Sequence, residues 1–256
     1  MNNKISKKDY WDNIYISLKK RHLKKDLISY WRKKMFLLLD KYLEKNPNKK
    51  FVEIGGAPGT SAILFNKFFQ YDSYAVDYSE IGIEKTKENF KQFGIEERNA
   101  ILEDCLSKNF LSSYQNYFDV VLSDGFIEHF KDPSRILKMH LQILKKGGDL
   151  IVIIPVYNSI VKLQPFFKKG VKEQYNASFM NMECFKKMIF SEKNIKVEYL
   201  NYFGGINLGT VAYENILIRK MIYALQIFIQ ITGLESLIPL NKYTSPYLIC
   251  ISKKTF

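Results

Sequence analysis

The sequence predicts an α/β protein built on a doubly wound, seven-stranded sheet. From residue 51 onward, short runs of apolar and β-branched residues alternate with segments of helical periodicity. This order is typical of parallel strands joined by crossover helices. The first run also ends in a glycine-rich turn that opens the next helix. With 256 residues, 46% of them apolar, the chain can form one sizeable core, and we expect a single structural unit.

Two basic helices are predicted ahead of the sheet, at 8–20 and 27–46. In the second, the apolar residues share one face: Ile28, Trp31, Met35, Leu38, Leu39 and Tyr42. Residues 1–50 hold 15 Lys/Arg and 5 Asp/Glu, which is +10 of the net +13. A solvated helix face, an anionic membrane surface and a phosphate-bearing partner each explain this charge. Nucleic acid is the less favoured partner, because only 5 of the 39 basic residues are arginine.

The strands follow in order along the chain. We place them at 51–54, 73–77, 99–102, 118–122, 150–154, 195–202 and 247–252. Intervening helices are predicted from Thr60 and over 79–93, 133–145 and 179–192. The helix over 133–145 is expected to stop at Gly147-Gly148, since glycine commonly ends helices. The run at 150–154 is continuously apolar, as a strand buried on both faces is.

A mostly apolar helix is predicted between the last two strands. Its polar residues form one narrow stripe at helical spacing, and Gly233 and Pro239 end it. The stripe comprises Asn215, Arg219, Tyr223, Gln226 and Gln230. A lid packed on the body, a homodimer contact and an interfacial membrane helix remain open as explanations. No stretch reaches ~18 charge-free apolar residues, so a spanning helix is not expected.

Cysteine and histidine usage narrows the class of protein further. Cys105, Cys184 and Cys250 are far apart and form no C-x-x-C pair, which excludes a disulfide framework and a zinc knuckle. We expect all three to be buried small hydrophobic residues of a cytoplasmic protein. The first residues carry lysines without the apolar segment of a secretory signal, which also favours the cytoplasm. His22 and His140 are expected at the surface.

Polar residues follow four of the predicted strands. Gly55 and Gly59 allow a sharp turn and close backbone approach to a ligand. Asp77 ends the second strand, 22 residues after Gly55, where a carboxylate can accept ribose hydroxyls. Asp104 follows the third strand, and residues 123–130 follow the fourth. Carboxyl ends of parallel strands meet at one edge, so we expect one site there.

These residues carry a family resemblance. The chain resembles class I S-adenosylmethionine-dependent methyltransferases over roughly residues 48–155. The matching segments are Val52-Glu53-Ile54-Gly55-Gly56-Ala57-Pro58-Gly59, Asp77, Asp104, Phe118-Asp119-Val120-Val121, Ile127-Glu128-His129-Phe130 and Leu144-Lys145-Lys146-Gly147-Gly148. The resemblance implies a Rossmann-like sheet in a methyltransferase domain, 48–256, behind a basic helical cap, 1–47. The family usually joins its last two strands by a short hairpin, whereas here an insertion of about 203–245 separates them.

The resemblance also implies S-adenosyl-L-methionine as cofactor and a set of residues that hold it. The glycine turn would hold the methionine part, Glu53 would orient its amine, Asp77 would bind the ribose, and Asp104 would bind the adenine amine. The complete implied set is Glu53, Gly55, Gly56, Ala57, Gly59, Asp77, Tyr78, Asp104, Cys105 and Ser123. Ala57 replaces a frequent glycine, and its methyl is tolerated if its φ is negative.

Two residues after the fourth strand are candidate catalytic groups. His129 is a candidate base, since imidazole titrates near neutral pH, or else it buttresses the loop beside Glu128. Asp124 is the second candidate base, or else it caps the loop. Quinone-precursor O-methyltransferases hold a divalent metal with E-x-x-E-H in this stretch. Gly125 stands at the first glutamate position here, so no metal is expected.

The sequence therefore predicts a methyltransferase, with O-methylation of a small or lipid-linked hydroxylated acceptor preferred. An RNA methyltransferase that docks through the basic segment is one alternative, and a catalytically silent cofactor-binding protein on the same fold is another. The motif of a dinucleotide-dependent oxidoreductase, G-x-G-x-x-G, is absent. The N-P-P-Y motif of amino methylation is also missing after the fourth strand, where Ser123-Asp124-Gly125-Phe126 stands.

Overall fold

Seven strands form one mixed sheet in the computed structural model, which describes residues 4–18, 30–157, 174–205 and 216–256. The strand order is β3-β2-β1-β4-β5-β7-β6, and only β7 runs antiparallel to its neighbours. The strands are β1 Lys50–Ile54, β2 Asp72–Asp77, β3 Ala100–Leu102, β4 Phe118–Asp124, β5 Leu144–Pro155, β6 Ile195–Phe203 and β7 Tyr247–Lys254. The order reverses between β1 and β4, which predicts a ligand site beside their carboxyl ends.

Eight α-helices occur within the described ranges. They are α1 Lys8–Ser17, α2 Tyr30–Leu39, α3 Thr60–Phe69, α4 Glu80–Phe93, α5 Lys108–Ser113, α6 Pro133–Ile143, α7 Met182–Ser191 and α8 Ile216–Ile231. Side-chain caps fix where several begin. The Ser79 hydroxyl accepts the N–H of Gly82 at the start of α4, and the Asp132 carboxylate accepts two N–H groups of α6, behind Pro133. The helices predicted at 8–20 and 27–46 are shorter in the described residues, where α1 ends at Ser17 and α2 ends at Leu39.

Apolar side chains cover both faces of the sheet. One buried cluster lies on the face that packs against α6 and α7, and includes Val52, Val121, Ile136 and Phe185. The other cluster packs α2, α3 and α4 against the opposite face and is rich in stacked aromatic rings. The ring centroids of Phe51 and Phe65, for example, lie 3.9 Å apart. Two fully covered faces explain why the predicted strand at 150–154, now part of β5, is continuously apolar.

The glycine pair predicted to end α6 instead lies inside β5. The helix ends at Ile143, and the chain enters the strand at Leu144 without a separate loop. The pairing of β4 with β5 skips residues at this point, and Gly147 has φ +75°. Gly147 therefore forms a bulge in the strand, a role for which glycine is as suitable as it is for a helix end.

Two side chains differ from their predicted environment. His140 is fully buried, because its Nδ1–H donates to the Ile136 carbonyl of its own helix at 2.6 Å and so satisfies one ring nitrogen. Cys184 is exposed near the start of α7, whereas Cys105 and Cys250 are buried as predicted. His22 lies outside the described residues.

The inserted segment contains the predicted apolar helix, and most of its described apolar residues are exposed. Gln226, a member of the polar stripe, is buried, while Leu217, Met221 and Phe228 are exposed. Tyr223, on the edge of the stripe, is exposed as well. Asn215 lies outside the described residues. Within the described ranges, no helix is both long and apolar enough to cross a bilayer.

Candidate active site

A cavity of about 280 Å³ opens at the carboxyl ends of β1, β2 and β4, where the strand order reverses. The glycine turn forms its floor and the N-terminal segment forms its opposite wall. The lining residues are Lys4, Ser6, Trp11, Ile14, Tyr15, Leu18, Arg32, Glu53, Gly55, Gly56, Ala57, Pro58, Thr60, Asp77, Tyr78, Asp124, Gly125, Phe126, His129 and Phe130. The position agrees with the site expected for this class of sheet.

The glycine turn needs its glycines for steric reasons. Gly55 has φ +66°, and a Cβ there would lie 2.4 Å from Cδ2 of Phe126. A Cβ on Gly56 would lie 2.8 Å from the Glu53 carbonyl oxygen. Gly59, at φ +82°, is buried against α4 and begins α3. Because Gly55 and Gly56 have no side chains, the backbone of the turn itself lines the cavity just before the start of α3.

The turn contains no glycine at its middle position. Ala57 stands there, and its backbone is outside the left-handed region, since Gln70 and Asn116 are the non-glycine residues with positive φ in the described chain. The methyl group is therefore accommodated without strain, as the sequence analysis expects.

Glu53 places a buried carboxyl group at the floor of the cavity. The Ser61 hydroxyl and the Ala62 N–H, both in the first turn of α3, donate to it. No group among the described residues donates to its Oε2 atom. Burial raises the pKa of Glu53 to about 7. This carboxyl group thus retains hydrogen-bonding capacity for a ligand in the cavity.

Arg32 of α2 brings a positive charge to the same end of the cavity. Its Nη1 donates to the Ser61 hydroxyl at 3.3 Å. The guanidinium also acts on Asp124 at the end of β4, where burial raises the pKa of the carboxyl group to about 6 and Arg32 opposes the rise. The pair Glu53 and Asp124 therefore has one nearby guanidinium to offset two buried acidic groups.

Asp77 is buried at the end of β2 and is already bonded within the chain. The Tyr15 hydroxyl donates to Oδ2 at 3.0 Å, and the Ser79 N–H donates to Oδ1 at 2.9 Å. The N–H groups of Ala57 and Tyr78 also stabilise the carboxylate. Desolvation nevertheless raises the pKa of Asp77. Hydrogen-bond donors thus already face both oxygens of Asp77, and a ligand that binds Oδ2 meets the Tyr15 hydroxyl there.

Lys4 binds the second predicted nucleoside carboxylate. Its Nζ lies 2.8 Å from Oδ2 of Asp104 and 4.1 Å from the centre of the Tyr78 ring. The Leu106 N–H donates to the other oxygen of Asp104 at 3.0 Å. The adjoining Ile5 N–H donates to the His129 carbonyl at 2.8 Å. The N-terminal segment thus spans the cavity from β3 to the loop after β4.

His129 lies at the opposite wall, in a short 3-10 turn after β4. Its Nδ1–H donates to the Gln174 carbonyl at 2.6 Å, which leaves the lone pair of the neutral ring on Nε2. The Trp11 ring contacts the imidazole edge-on, with centroids 4.9 Å apart. Burial lowers the pKa of His129 to about 4. The imidazole is therefore neutral at pH 7.

Glu128 lies next to His129 and is more deeply buried. Its Oε1 is 3.9 Å from Nε2 of His129, and among the described residues no group donates to its Oε2. Burial raises the pKa of Glu128 to about 8. The N–H of Glu128 itself donates to the carboxyl group, but burial outweighs this bond, so Glu128 is mostly neutral at pH 7.

Most residues that the sequence singles out lie around this one cavity. Glu53, Gly55, Gly56, Ala57, Asp77, Tyr78, Asp124 and His129 line it. Gly59, Asp104, Cys105 and Ser123 do not contact it directly; Asp104 reaches it through Lys4, and the other three are buried behind it. Within the described ranges, no group of three or more His, Cys, Asp or Glu residues could hold a metal ion.

The sequence does not indicate that residues of the N-terminal segment line the cavity. Lys4, Tyr15 and Arg32 supply a cation, a phenol and a guanidinium to the cavity, although the sequence suggests only a basic cap. Tyr15 is 62 residues from its partner Asp77, and such a contact leaves no local pattern in the sequence. Residues 19–25, which read KKRHLKK and are the densest run of basic residues in this segment, lie outside the described residues.

Comparisons with known proteins agree with this geometry. The model of a methyltransferase domain family matches residues 24–198. A comparison with curated protein sequences gives no match. Among solved structures, geranyl diphosphate C-methyltransferase from Streptomyces coelicolor A3(2) is 14% identical, with a TM-score of 0.56 over 87% of this chain and 80% of that one. That protein was crystallised with Mg²⁺, geranyl diphosphate and S-adenosyl-L-homocysteine.

Two further structures have the same fold. The YcgJ protein of Bacillus subtilis is 14% identical, with a TM-score of 0.55 over 88% of this chain and 99% of that one. The [4+2]-cyclase SpnF is 13% identical, with a TM-score of 0.57 over 89% and 83%. At these identities the likeness concerns the fold, which different reactions share. The family model covers well over half of the chain, and the chain belongs to the class I S-adenosylmethionine-dependent methyltransferase family.

Proposed function

We propose that this methyltransferase methylates a hydroxyl group of a small or lipid-linked acceptor, with His129 and Asp124 as candidate bases. The observation that carries the proposal is the orientation of His129. Its Nδ1–H is committed to the Gln174 carbonyl, so the proton-accepting nitrogen of the neutral ring is Nε2; the Gly125 carbonyl also contacts the ring, and His129 lines the cavity. A hydroxyl acceptor loses a proton on methylation, and a base in this place can take it.

The residues around the cavity fit an S-adenosylmethionine molecule. The unsatisfied Oε2 of Glu53 suits the cofactor's amine, and the side-chain-free turn at Gly55 and Gly56 leaves room for its methionine part. Asp77 suits the ribose hydroxyls and Asp104 suits the adenine amine, and the Tyr78 ring lines the cavity beside Lys4. When bound, the cofactor supplies a methyl group on a sulfonium, which is already activated for transfer.

The protein must then hold the acceptor in line and exclude water. Phe126, Phe130 and Trp11 provide apolar walls next to His129, and they favour an acceptor with an apolar body. His129, with a pKa of about 4, is a weak base. Asp124, with a pKa of about 6, is better matched to neutral pH. Both therefore stay candidates, and separate variants distinguish them.

A panel of acceptors with methyl-labelled cofactor tests this proposal. Phenols, alcohols, amines and lipid-linked phenols are each incubated with the enzyme, and the labelled product is identified by mass spectrometry. The proposal requires label on oxygen in at least one hydroxylated acceptor. Label on carbon or nitrogen alone contradicts O-methylation, and salt-sensitive labelling of RNA favours the alternative that the basic segment suggests. Binding of cofactor without transfer to any class of acceptor favours the catalytically silent alternative.

The lipid-linked form of the acceptor has its own support. An exposed apolar helix, α8, and an excess of basic residues are the two features that peripheral membrane binding requires. We therefore propose a cytoplasmic protein that contacts the anionic membrane surface. The alternative of a homodimer through the same helix is decided by the experiment described next.

A further inference from the structure

Helix α8 exposes its apolar face. Leu217, Met221, Phe228 and Ile231 are spaced by three, four or seven residues and so lie on one side of the helix. Met221 is 72% exposed, Phe228 57% and Ile231 80%. Single exposed apolar residues are ordinary on protein surfaces, whereas a continuous apolar face of this kind marks an interaction site.

The opposite side of the helix faces the protein. Ile222, Gln226 and Ile229 follow one another at spacings of four and three residues, and all three are less exposed than the outer set. Gln226 is 7% exposed. An ordinary surface helix buries its apolar side and exposes its polar side. Here the inward side holds two isoleucines and a glutamine while the outward side is apolar as well, so the helix has a second apolar face beyond the one turned toward the protein.

Cationic and aromatic side chains accompany this face. Lys220 is exposed on the helix, and Lys242 and Tyr243 are exposed in the segment that follows it. Leu237 and Leu240, which lie between these lysines in the sequence, are exposed as well. Lysines that border an apolar face can lie along it while their ammonium groups reach anionic headgroups, and aromatic rings favour the same interfacial region. This composition fits an anionic bilayer better than the apolar face of a second copy, which would bury the lysines.

The insertion leaves the sheet at the edge where the cavity opens. β6 ends at Phe203, β7 begins at Tyr247, and these two residues are paired; Tyr247 is also paired with Pro155 at the end of β5. The carboxyl ends of β1, β2 and β4 lie at this same edge. The Trp31 ring stacks on Tyr247 at 5.3 Å, next to the cavity residue Arg32. A membrane that binds the insertion therefore lies near the edge of the sheet at which the cavity opens.

We propose that the outward face of α8, with Lys220 and Lys242, docks the enzyme on an anionic membrane surface from which it takes a lipid-linked acceptor. This inference rests on the proposed function and assigns its docking surface. With 16 residues the helix lies in the headgroup region rather than spanning the bilayer.

Sedimentation with vesicles tests the proposal. The full-length protein is mixed with vesicles of equal parts phosphatidylcholine and phosphatidylglycerol, and with vesicles of phosphatidylcholine alone. We expect binding to the anionic vesicles that falls as salt rises. The double variant Met221→Ser/Phe228→Ser should bind at least about tenfold more weakly, because two apolar side chains no longer enter the interface. Phe190→Ser is the matched control, since Phe190 is 59% exposed but lies on α7.

Three outcomes overturn the proposal: a wild-type protein that stays in the supernatant with anionic vesicles at low salt, a double variant that binds like the wild type, and a control that loses binding equally. If the wild type instead forms a dimer that Met221→Ser/Phe228→Ser disperses, α8 is a subunit interface. Calorimetric binding of S-adenosylmethionine to the same variants separates the two proposals. If the wild type binds S-adenosylmethionine but not the vesicles, the docking surface alone is refuted. If the wild type does not bind S-adenosylmethionine, the proposed function is refuted.

Discussion

If Asp77 binds the ribose of the cofactor as proposed, the Tyr15 hydroxyl competes with the cofactor for this carboxylate, and removal of the hydroxyl should strengthen cofactor binding. In the structure the phenol occupies Oδ2 of Asp77 at 3.0 Å, while the remaining donors to this carboxylate are backbone N–H groups. Backbone donors at the end of β2 are fixed by the fold. The side chain of Tyr15 is therefore the donor that ribose hydroxyls must displace.

The magnitude follows from the bond that is lost. A buried hydrogen bond to a carboxylate contributes about 1.5–3 kcal/mol. Tyr15→Phe removes it from the free protein but keeps the ring packed over Gly82, where a Cβ would lie 2.8 Å from that ring. In the Tyr15→Phe variant a water molecule can donate to Asp77 instead, which restores part of the free energy of the lost hydrogen bond. We therefore expect the Kd for S-adenosylhomocysteine to fall about threefold to tenfold, since 1.4 kcal/mol corresponds to a factor of ten.

Calorimetric titration and urea unfolding measure both sides of this exchange. Tyr15→Phe should bind the ligand more tightly and, without ligand, should unfold at lower urea concentration. Tyr10→Phe is the control, because Tyr10 is on the same helix and does not line the cavity. An unchanged or weaker affinity in the folded Tyr15→Phe protein would refute competition. It would mean that the phenol remains bonded to Asp77, or binds the ligand itself, in the complex.

Two further predictions concern the loop after β4. His129→Ala should lower kcat about 100-fold and leave the Kd for the cofactor nearly unchanged, as measured with the acceptor that the panel identifies; a wild-type kcat would give His129 a structural role and leave Asp124 as the base. Burial raises the pKa of Glu128 to about 8, whereas the same carboxyl group titrates near pH 4.5 in the unfolded state. Between these pH values the native state binds one proton more than the unfolded state. The stability that this proton contributes is lost as pH rises through about 8. Glu128→Gln should therefore lose less stability between pH 6 and pH 9 than the wild type in urea unfolding, by about 1 kcal/mol or more; equal losses would contradict a buried, protonated Glu128.

The sheet and the residues at the floor of the cavity could be predicted because their signals are local. Apolar runs such as Val52–Ile54 mark buried strands whatever packs on them, and the sharp turn at Gly55 restricts the residues that can stand there. The seven-stranded α/β fold was confirmed. Each strand lies at or within a few residues of its predicted place, except that β5 begins earlier than predicted, at Leu144.

The orientation of side chains toward distant parts of the chain was less predictable. The helical pattern of α8 distinguishes two faces, but only packing shows that the side with Gln226 turns inward. His140 was expected at the surface, yet its bond to Ile136 allows burial. Gly147 has a conformation that suits both a helix end and a strand bulge. Tyr15 and Lys4 reach carboxylates 62 and 100 residues away, for which the sequence holds no local signal.

Calorimetric titration with S-adenosylmethionine tests the central claim most directly. The wild type should bind one molecule per chain, and Asp77→Ala should bind about 10- to 100-fold more weakly, as expected for the loss of a charge-assisted hydrogen bond of about 1.5–3 kcal/mol. Asp72→Ala, at the other end of the same strand, should bind like the wild type. Absence of saturable binding to the wild type, or wild-type affinity in a folded Asp77→Ala protein, would contradict the assignment of this cavity to the cofactor.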